Sequence, residues 1–125
     1  RFMQSRAAAV HPDLSPGAYK VVSTLVQRGP THAGTLAAEL CVDKSAISRI
    51  IRQLEDLGLV ERGADPEDGR AFLITATSST VRKVNAIRDE SRGRLHRSLT
   101  DWDAADIEQL TALLAKLNGL MEPPA

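Results

Sequence analysis

The run Asp43-Lys44-Ser45-Ala46-Ile47-Ser48-Arg49-Ile50-Ile51-Arg52-Gln53-Leu54-Glu55-Asp56-Leu57 decides how this chain folds. Ile47, Ile50, Ile51 and Leu54 stand at i, i+3, i+4 and i+7, the spacing of one buried helical stripe. Ser45, Ser48, Arg49 and Arg52 repeat that spacing two residues earlier. Two residues turn a helix by about 200°, so this second set points the opposite way. One helix therefore carries a core face and a face of hydroxyls and arginines. Asp43 stands where a capping residue belongs. Gly58, between apolar Leu57 and Leu59, stands where a helix stops. Solvated helix faces commonly carry Ser and Arg, so the polar face alone assigns no role.

Upstream, Leu36-Ala37-Ala38-Glu39-Leu40 reads as a short helix, separated from the first by a three-residue turn, Cys41-Val42-Asp43. That spacing is a helix-turn-helix. A further helix precedes it, with Ser15 as N-cap, Pro16 at the first helical position, and Tyr19, Val22, Leu25 and Val26 at helical spacing. Arg28-Gly29-Pro30 stops it. Residues 1–9 are expected to end another helix, with a break from His11 to Pro16. Downstream, Leu59 to Arg62 and Ala71 to Thr75 are expected strands around the turn-forming run Gly63 to Gly69, which makes a hairpin. Thr75 or Thr77 then caps a long helix to about Leu99, Asp101 or Asp103 opens the last helix, and Glu122-Pro123-Pro124 is a tail.

Three helices closed by a hairpin define the expected fold: mainly α with a small β-hairpin wing (α+β), a winged helix-turn-helix plus a helical dimerisation region. The winged helix-turn-helix occupies 16–76, a long connecting helix 77–98, and the dimerisation region 1–15 and 99–125. Ile107, Leu110, Leu113, Leu114, Leu117, Leu120 and Met121 are too many for one narrow stripe. One face is expected to cover its own subunit and another to meet a second copy.

Composition bounds the rest. The 125 residues fit one domain with a helical extension, and 42% hydrophobic content supplies a core. Only 3% are aromatic, so that core must be aliphatic. No apolar run approaches the roughly 18 residues of a membrane span, and no secretory pattern is present. One cysteine forms no internal disulfide, which suits a reducing, cytoplasmic setting. Cys41 itself is expected as a partly buried structural thiol. The chain opens at Arg1 with Met3 close behind, as expected of a piece of a longer protein. His11, His32 and His96 are scattered, without metal-ligand spacing. There is no Gly-rich phosphate loop or nucleophile elbow. No enzyme, metal or cofactor is therefore expected.

Net charge is zero, but it is unevenly spread: +2 over 1–42, −2 over 43–75, +4 over 76–98 and −4 over 99–125. The basic and acidic C-terminal segments are expected to pair within or between chains. The −2 of the middle segment argues against nucleic acid unless its cations point outward together. Small residues on the Ser45–Arg52 face let a helix enter a major groove, and its arginines reach base edges and phosphates. Arg62 and Arg70 bracket the hairpin turn, where an arginine can enter a minor groove. Asp68 is expected to hold Arg70 by a bidentate ion pair; a solvated turn with a surface ion pair is the plainer alternative.

Three motifs in order resemble the MarR family of bacterial regulators. Leu36 to Arg49 resembles its recognition region, Leu54-Glu55-Asp56-Leu57-Gly58-Leu59-Val60-Glu61-Arg62 its passage into the wing, and Asp65-Pro66-Glu67-Asp68-Gly69-Arg70-Ala71 its wing signature. The resemblance covers 30–76 closely and implies a homodimer that binds double-stranded DNA, expected to be a repressor. By position it implies Lys44, Ser45, Ala46, Ser48, Arg49 and Arg52 on the recognition helix, Arg62, Asp68 and Arg70 on the wing, and His32 at a phosphate. It also implies a small aromatic or anionic effector, for which His11, Tyr19 and Arg94 are candidate ligands. The sequence departs from the family pattern in three places. Gly69 stands where another arginine is common, Cys41 where the turn usually has glycine, and Ser78-Ser79 where the long helix usually starts with a glycine. If Cys41 is left-handed, it is strained. The alternative reading is a winged-helix protein-interaction module without DNA binding, supported by the −2 of 43–75.

Overall fold

The computed structural model describes residues 2–121, with the side chains of 3–120. Its elements run α1 (Phe2–Val10), α2 (Pro16–Arg28), α3 (Ala33–Leu40), α4 (Lys44–Asp56), β1 (Val60–Asp65), β2 (Asp68–Ala76), α5 (Ser78–Leu99) and α6 (Ala104–Met121). The chain divides into two units, 1–88 and 89–125. The expected tail, Glu122 to Pro124, lies outside the described residues.

The core of the first unit is aliphatic, as the composition requires. Val21, Val22 and Leu25 of α2 meet Leu36 of α3, Ile47, Ile51 and Leu54 of α4, and Ile74 of β2, all nearly inaccessible to solvent. Ile50 lies at the edge of the α4 stripe and is only half-buried. Tyr19 is the largest buried side chain, and its hydroxyl has no hydrogen-bond partner among the described residues.

Helix ends follow the local chemistry. Ser15 Oγ accepts the Ala18 N–H at 3.1 Å, and Pro16 opens α2, as its sequence predicts. Asp43 occupies the N-cap of α4 by backbone position only; its exposed carboxylate makes no capping hydrogen bond. Thr77, rather than Thr75, caps α5, its hydroxyl accepting the Thr80 N–H at 3.4 Å. Thr75 instead pairs with Glu61 inside the hairpin.

Helices α3 and α4 close in the same way. Leu59 N–H donates to the Leu54 carbonyl at 2.9 Å and Gly58 N–H to the Glu55 carbonyl at 2.9 Å. Val42 N–H donates to the Ala37 carbonyl at 3.0 Å and Cys41 N–H to the Ala38 carbonyl at 3.4 Å. Both are Schellman closures, which need a left-handed residue at the turn. Gly58 supplies it at φ 72°, whereas Cys41 adopts φ 54°, ψ 45° with a Cβ to accommodate. The left-handed backbone expected there is present. The thiol is exposed, however, which corrects the expected burial. The turn that reverses the chain carries Cys41 outward, away from the core side of both helices.

The hairpin is longer than its pattern suggests. β1 pairs antiparallel with β2 from Val60↔Ala76 to Ala64↔Phe72, then shifts register to Asp65↔Asp68. The strands thus extend into the Gly63–Gly69 run expected as turn, leaving only Pro66-Glu67 between them. A two-stranded ribbon in solvent is held by backbone hydrogen bonds and needs no apolar face, so hydropathy did not mark its outer half. A third backbone pairing joins it: Thr31 N–H donates to the Ile74 carbonyl at 3.0 Å, and Ile74 N–H to the Thr31 carbonyl at 2.8 Å.

Three basic residues of α5 have partners within the fold. Arg88 donates to the Ser23 carbonyl and hydroxyl, both at 2.9 Å, Lys83 reaches the Val10 carbonyl at 3.5 Å, and Arg94 meets Glu90 at 3.1 Å.

Candidate nucleic-acid interface

Burial of Ile47, Ile51 and Leu54 fixes how α4 is rotated, and the opposite face follows. Lys44, Ser45, Ser48, Arg49 and Arg52 are all exposed, with Ala46 half-buried beside them. Among the described residues, Lys44, Arg49 and Arg52 have no ion-pair partner. Two shallow grooves run between α3 and α4, of about 380 Å³ and about 190 Å³, and share Gly34 and Lys44 in their linings. The groove beside Gly34 is open, so that a Cβ there would meet nothing within 4 Å.

The acids of 43–75 answer the charge objection in part. Glu55 Oε1 accepts from Arg62 Nε at 2.6 Å, tying the end of α4 to the base of the wing. Asp65 Oδ2 lies 2.9 Å from His32 Nε2, and its Oδ1 accepts the Glu67 N–H at 2.9 Å. Asp68 Oδ1 accepts the Arg70 backbone N–H at 3.1 Å. Three of the seven acids are thus engaged within the fold, while Lys44, Arg49, Arg52 and Arg70 project unpaired.

Several of the expected site residues have partners within the fold. Asp68 holds Arg70 through its backbone, with no guanidinium ion pair among the described residues; an Asx turn is the shorter reach for a side chain two residues away. Arg62, expected as a wing contact, is paired to Glu55. His32, expected at a phosphate, turns its ring to the wing: Nδ1 lies 3.2 Å from the Phe72 carbonyl and Nε2 faces Asp65. Sequence reasoning missed Asp65 and Phe72. Asp65 was legible only as a turn former, and Phe72, 58% exposed on β2, carries its signal as an aromatic where little apolar cover exists.

Of the candidate effector ligands, His11 is half-buried and its Nδ1 accepts the Asp13 N–H at 3.1 Å, Tyr19 is buried in α2, and Arg94 is exposed against Glu90. On α6, Ile107 and Leu110 are half-buried, while Leu113, Leu114, Leu117 and Leu120 are exposed. The side chain of Met121 lies outside the described residues. Leu95 and Trp102, also exposed, belong to the same unit and were not singled out by periodicity.

A helix-turn-helix with its second helix presenting unpaired cations, followed by a two-stranded wing, defines the winged-helix class. The MarR family pattern matches residues 14–72. The chain is 29% identical over 106 residues to YxaD, a helix-turn-helix-type transcriptional regulator of Bacillus subtilis, covering 85% of this chain and 74% of that protein. It is 22% identical over 102 residues to the transcriptional repressor IacR of Pseudomonas putida, covering 82% of this chain but 61% of IacR. FabT of Streptococcus pneumoniae, solved in complex with DNA, superposes with a TM-score of 0.75 at 15% identity, covering 87% of this chain and 76% of FabT. The chain is thus similar to the MarR family over residues 14–72, and it has a winged-helix fold. Relatives named as transcriptional regulators do not favour a purely protein-binding module.

Proposed function

We propose that this protein is a transcription regulator that binds double-stranded operator DNA as a homodimer and represses transcription there, without catalytic activity. The observation that carries the reading is the exposed, unpaired row Lys44, Ser45, Ser48, Arg49 and Arg52, held outward by the buried stripe on the same helix. Phosphate contacts from Lys44 and Arg70 position the protein, and Arg49 and Arg52 reach base edges. Residues 16–76 form the DNA-binding part, 77–98 the connection, and 1–15 with 99–125 the dimer contact. The exposed leucines of α6 support that contact, since a second copy would cover them. A two-fold dimer would place recognition helices on half-sites about 34 Å apart.

A small aromatic or anionic effector would alter that spacing by shifting populations. The unpartnered Tyr19 hydroxyl supports a ligand near α2, since a ligand acceptor would satisfy it. No described helix is long and apolar enough to cross a membrane, which is in keeping with a cytoplasmic placement.

Fluorescence anisotropy against a duplex from the gene's own upstream region, over a salt series, tests the reading. Specific binding with log K falling by about 0.9 per phosphate for each tenfold rise in salt is expected. A shallow slope, with equal weak binding to an unrelated duplex, would overturn it in favour of a protein partner.

A further inference from the structure

We propose that His32 is a proton-dependent pin that holds the wing to the helix-turn-helix, and is thus a positioning residue for the DNA binding inferred above, on which this step rests. Both ring nitrogens face acceptors. Nε2 is 2.9 Å from the Asp65 carboxylate, and Nδ1 is 3.2 Å from the Phe72 carbonyl. Neither acceptor can donate while Asp65 is ionised. A neutral imidazole carries one N–H, so one of the two contacts would set lone pair against lone pair. The imidazolium donates to both.

The surroundings prepare the acceptor side. The Asp65 side chain is only 12% exposed, and its other oxygen is occupied by the Glu67 N–H, so the turn itself aims the carboxylate at the ring. His32 stands at the N-cap of α3 without capping it, because the ring is turned to the wing. Opposing a positive ring are the positive end of the α3 dipole and Lys44 of α4, which shares a groove lining with Ala33 and Gly34. No acid lies in the first turn of α3. The favourable charge therefore comes from the wing, through Asp65, and the pin ties wing to helix rather than helix to itself.

Segment 31–32 meets the wing at three places: Ile74 by backbone pairing, Phe72 through Nδ1 and Asp65 through Nε2. Loss of the ring proton removes one of the two outer contacts and leaves the inner pairing intact. The outer wing, which carries Arg70, then loses its fixed position relative to α4.

The test compares the unmodified protein with His32→Gln and Asp65→Asn. Backbone amide and imidazole NMR of the free protein are followed from about pH 5.5 to about pH 8.5, spanning the ordinary histidine range. Operator affinity is measured by anisotropy over the same series. The amides of Glu67 and Phe72 are expected to shift in step with the His32 ring, more than that of Ile74 in the inner pairing, and not in His32→Gln. Affinity is expected to fall by up to about fivefold with rising pH beyond any fall in either variant, the scale of a partly exposed ion pair. Asp65→Asn, which keeps an oxygen for the Glu67 N–H, should lose the pH response while retaining the fold by circular dichroism. Wing amides indifferent to the His32 titration overturn the pin. An Asp65→Asn variant that keeps the full pH profile also overturns it, since His32 would then act on phosphate directly. Wing amides that follow the ring in a protein that binds no duplex uphold the pin and overturn the DNA reading alone.

Discussion

Cys41 shows how one side chain can sit against its backbone. The Schellman closure of α3 demands a left-handed residue, and a Cβ there costs roughly 1–2 kcal/mol. Cys41→Gly removes that cost but gives freedom to the unfolded chain, an opposing effect of about 0.4–1 kcal/mol. A net stabilisation of about 0.5–1 kcal/mol is expected in urea unfolding, with the m-value unchanged. At Tyr19 a buried hydroxyl has no partner among the described residues, so Tyr19→Phe is expected to leave stability equal or raise it by about 1 kcal/mol, read as a higher melting temperature. On the proposed DNA face the two arginines should separate by kind. Arg49→Ala should cost about 1–3 kcal/mol and relax preference at one base, whereas Arg70→Ala should weaken all duplexes alike and lower the salt slope by about one. Equal losses on every sequence for both variants would remove Arg49 from base reading.

Among the elements, α4 was legible almost entirely from its sequence. Its two opposed rows, its start after Asp43 and its stop at Gly58 all agree with the structure, because an amphipathic helix encodes its own rotation. Only Ile50, at the stripe's edge, is less buried than spacing implied. The wing was legible in place but not in extent. Its outer strands bury little apolar surface, so hydropathy ended early, and backbone pairing carried the ladder on to Asp65 and Asp68. The register shift leaves Gly69, Arg70 and Ala71 outside the regular ladder. A side chain at Gly69 would meet nothing within 4 Å, and its φ is not left-handed. Gly69→Arg is therefore expected to fold normally and to add a phosphate contact, raising the salt slope by about 0.9. An unaltered slope would mean that the wing tip does not approach DNA.

For the whole molecule, apolar exposure is concentrated in one unit. Leu95, Trp102, Leu113, Leu114, Leu117 and Leu120 are exposed in 89–125, while Phe72 is the large exposed apolar residue of 1–88 among those described. Isolated helices with such faces gain stability by tertiary or quaternary burial rather than by propensity. The double substitution Leu113→Glu with Leu117→Glu is expected to yield monomers in sedimentation while the first unit keeps its helical signal. Operator affinity should drop by about 10²-fold, since two half-sites would no longer be bound together. Dimers that persist would move the contact elsewhere on the chain.

The amino-acid sequence alone determined the order of elements, the two faces of α4, the aliphatic core and the presence of a wing. Each is written in periodicity, capping or turn residues that lie close together along the chain. Tertiary structure decided which charges are free. Asp65 meets His32, Glu55 meets Arg62, and Thr31 joins Ile74 across gaps that no local pattern encodes. It also set the His32 ring against the wing, and it left Cys41, expected partly buried, exposed. Sequence spacing fixes a side chain's direction on its own element. What that side chain meets depends on another element, and only packing brings the two together.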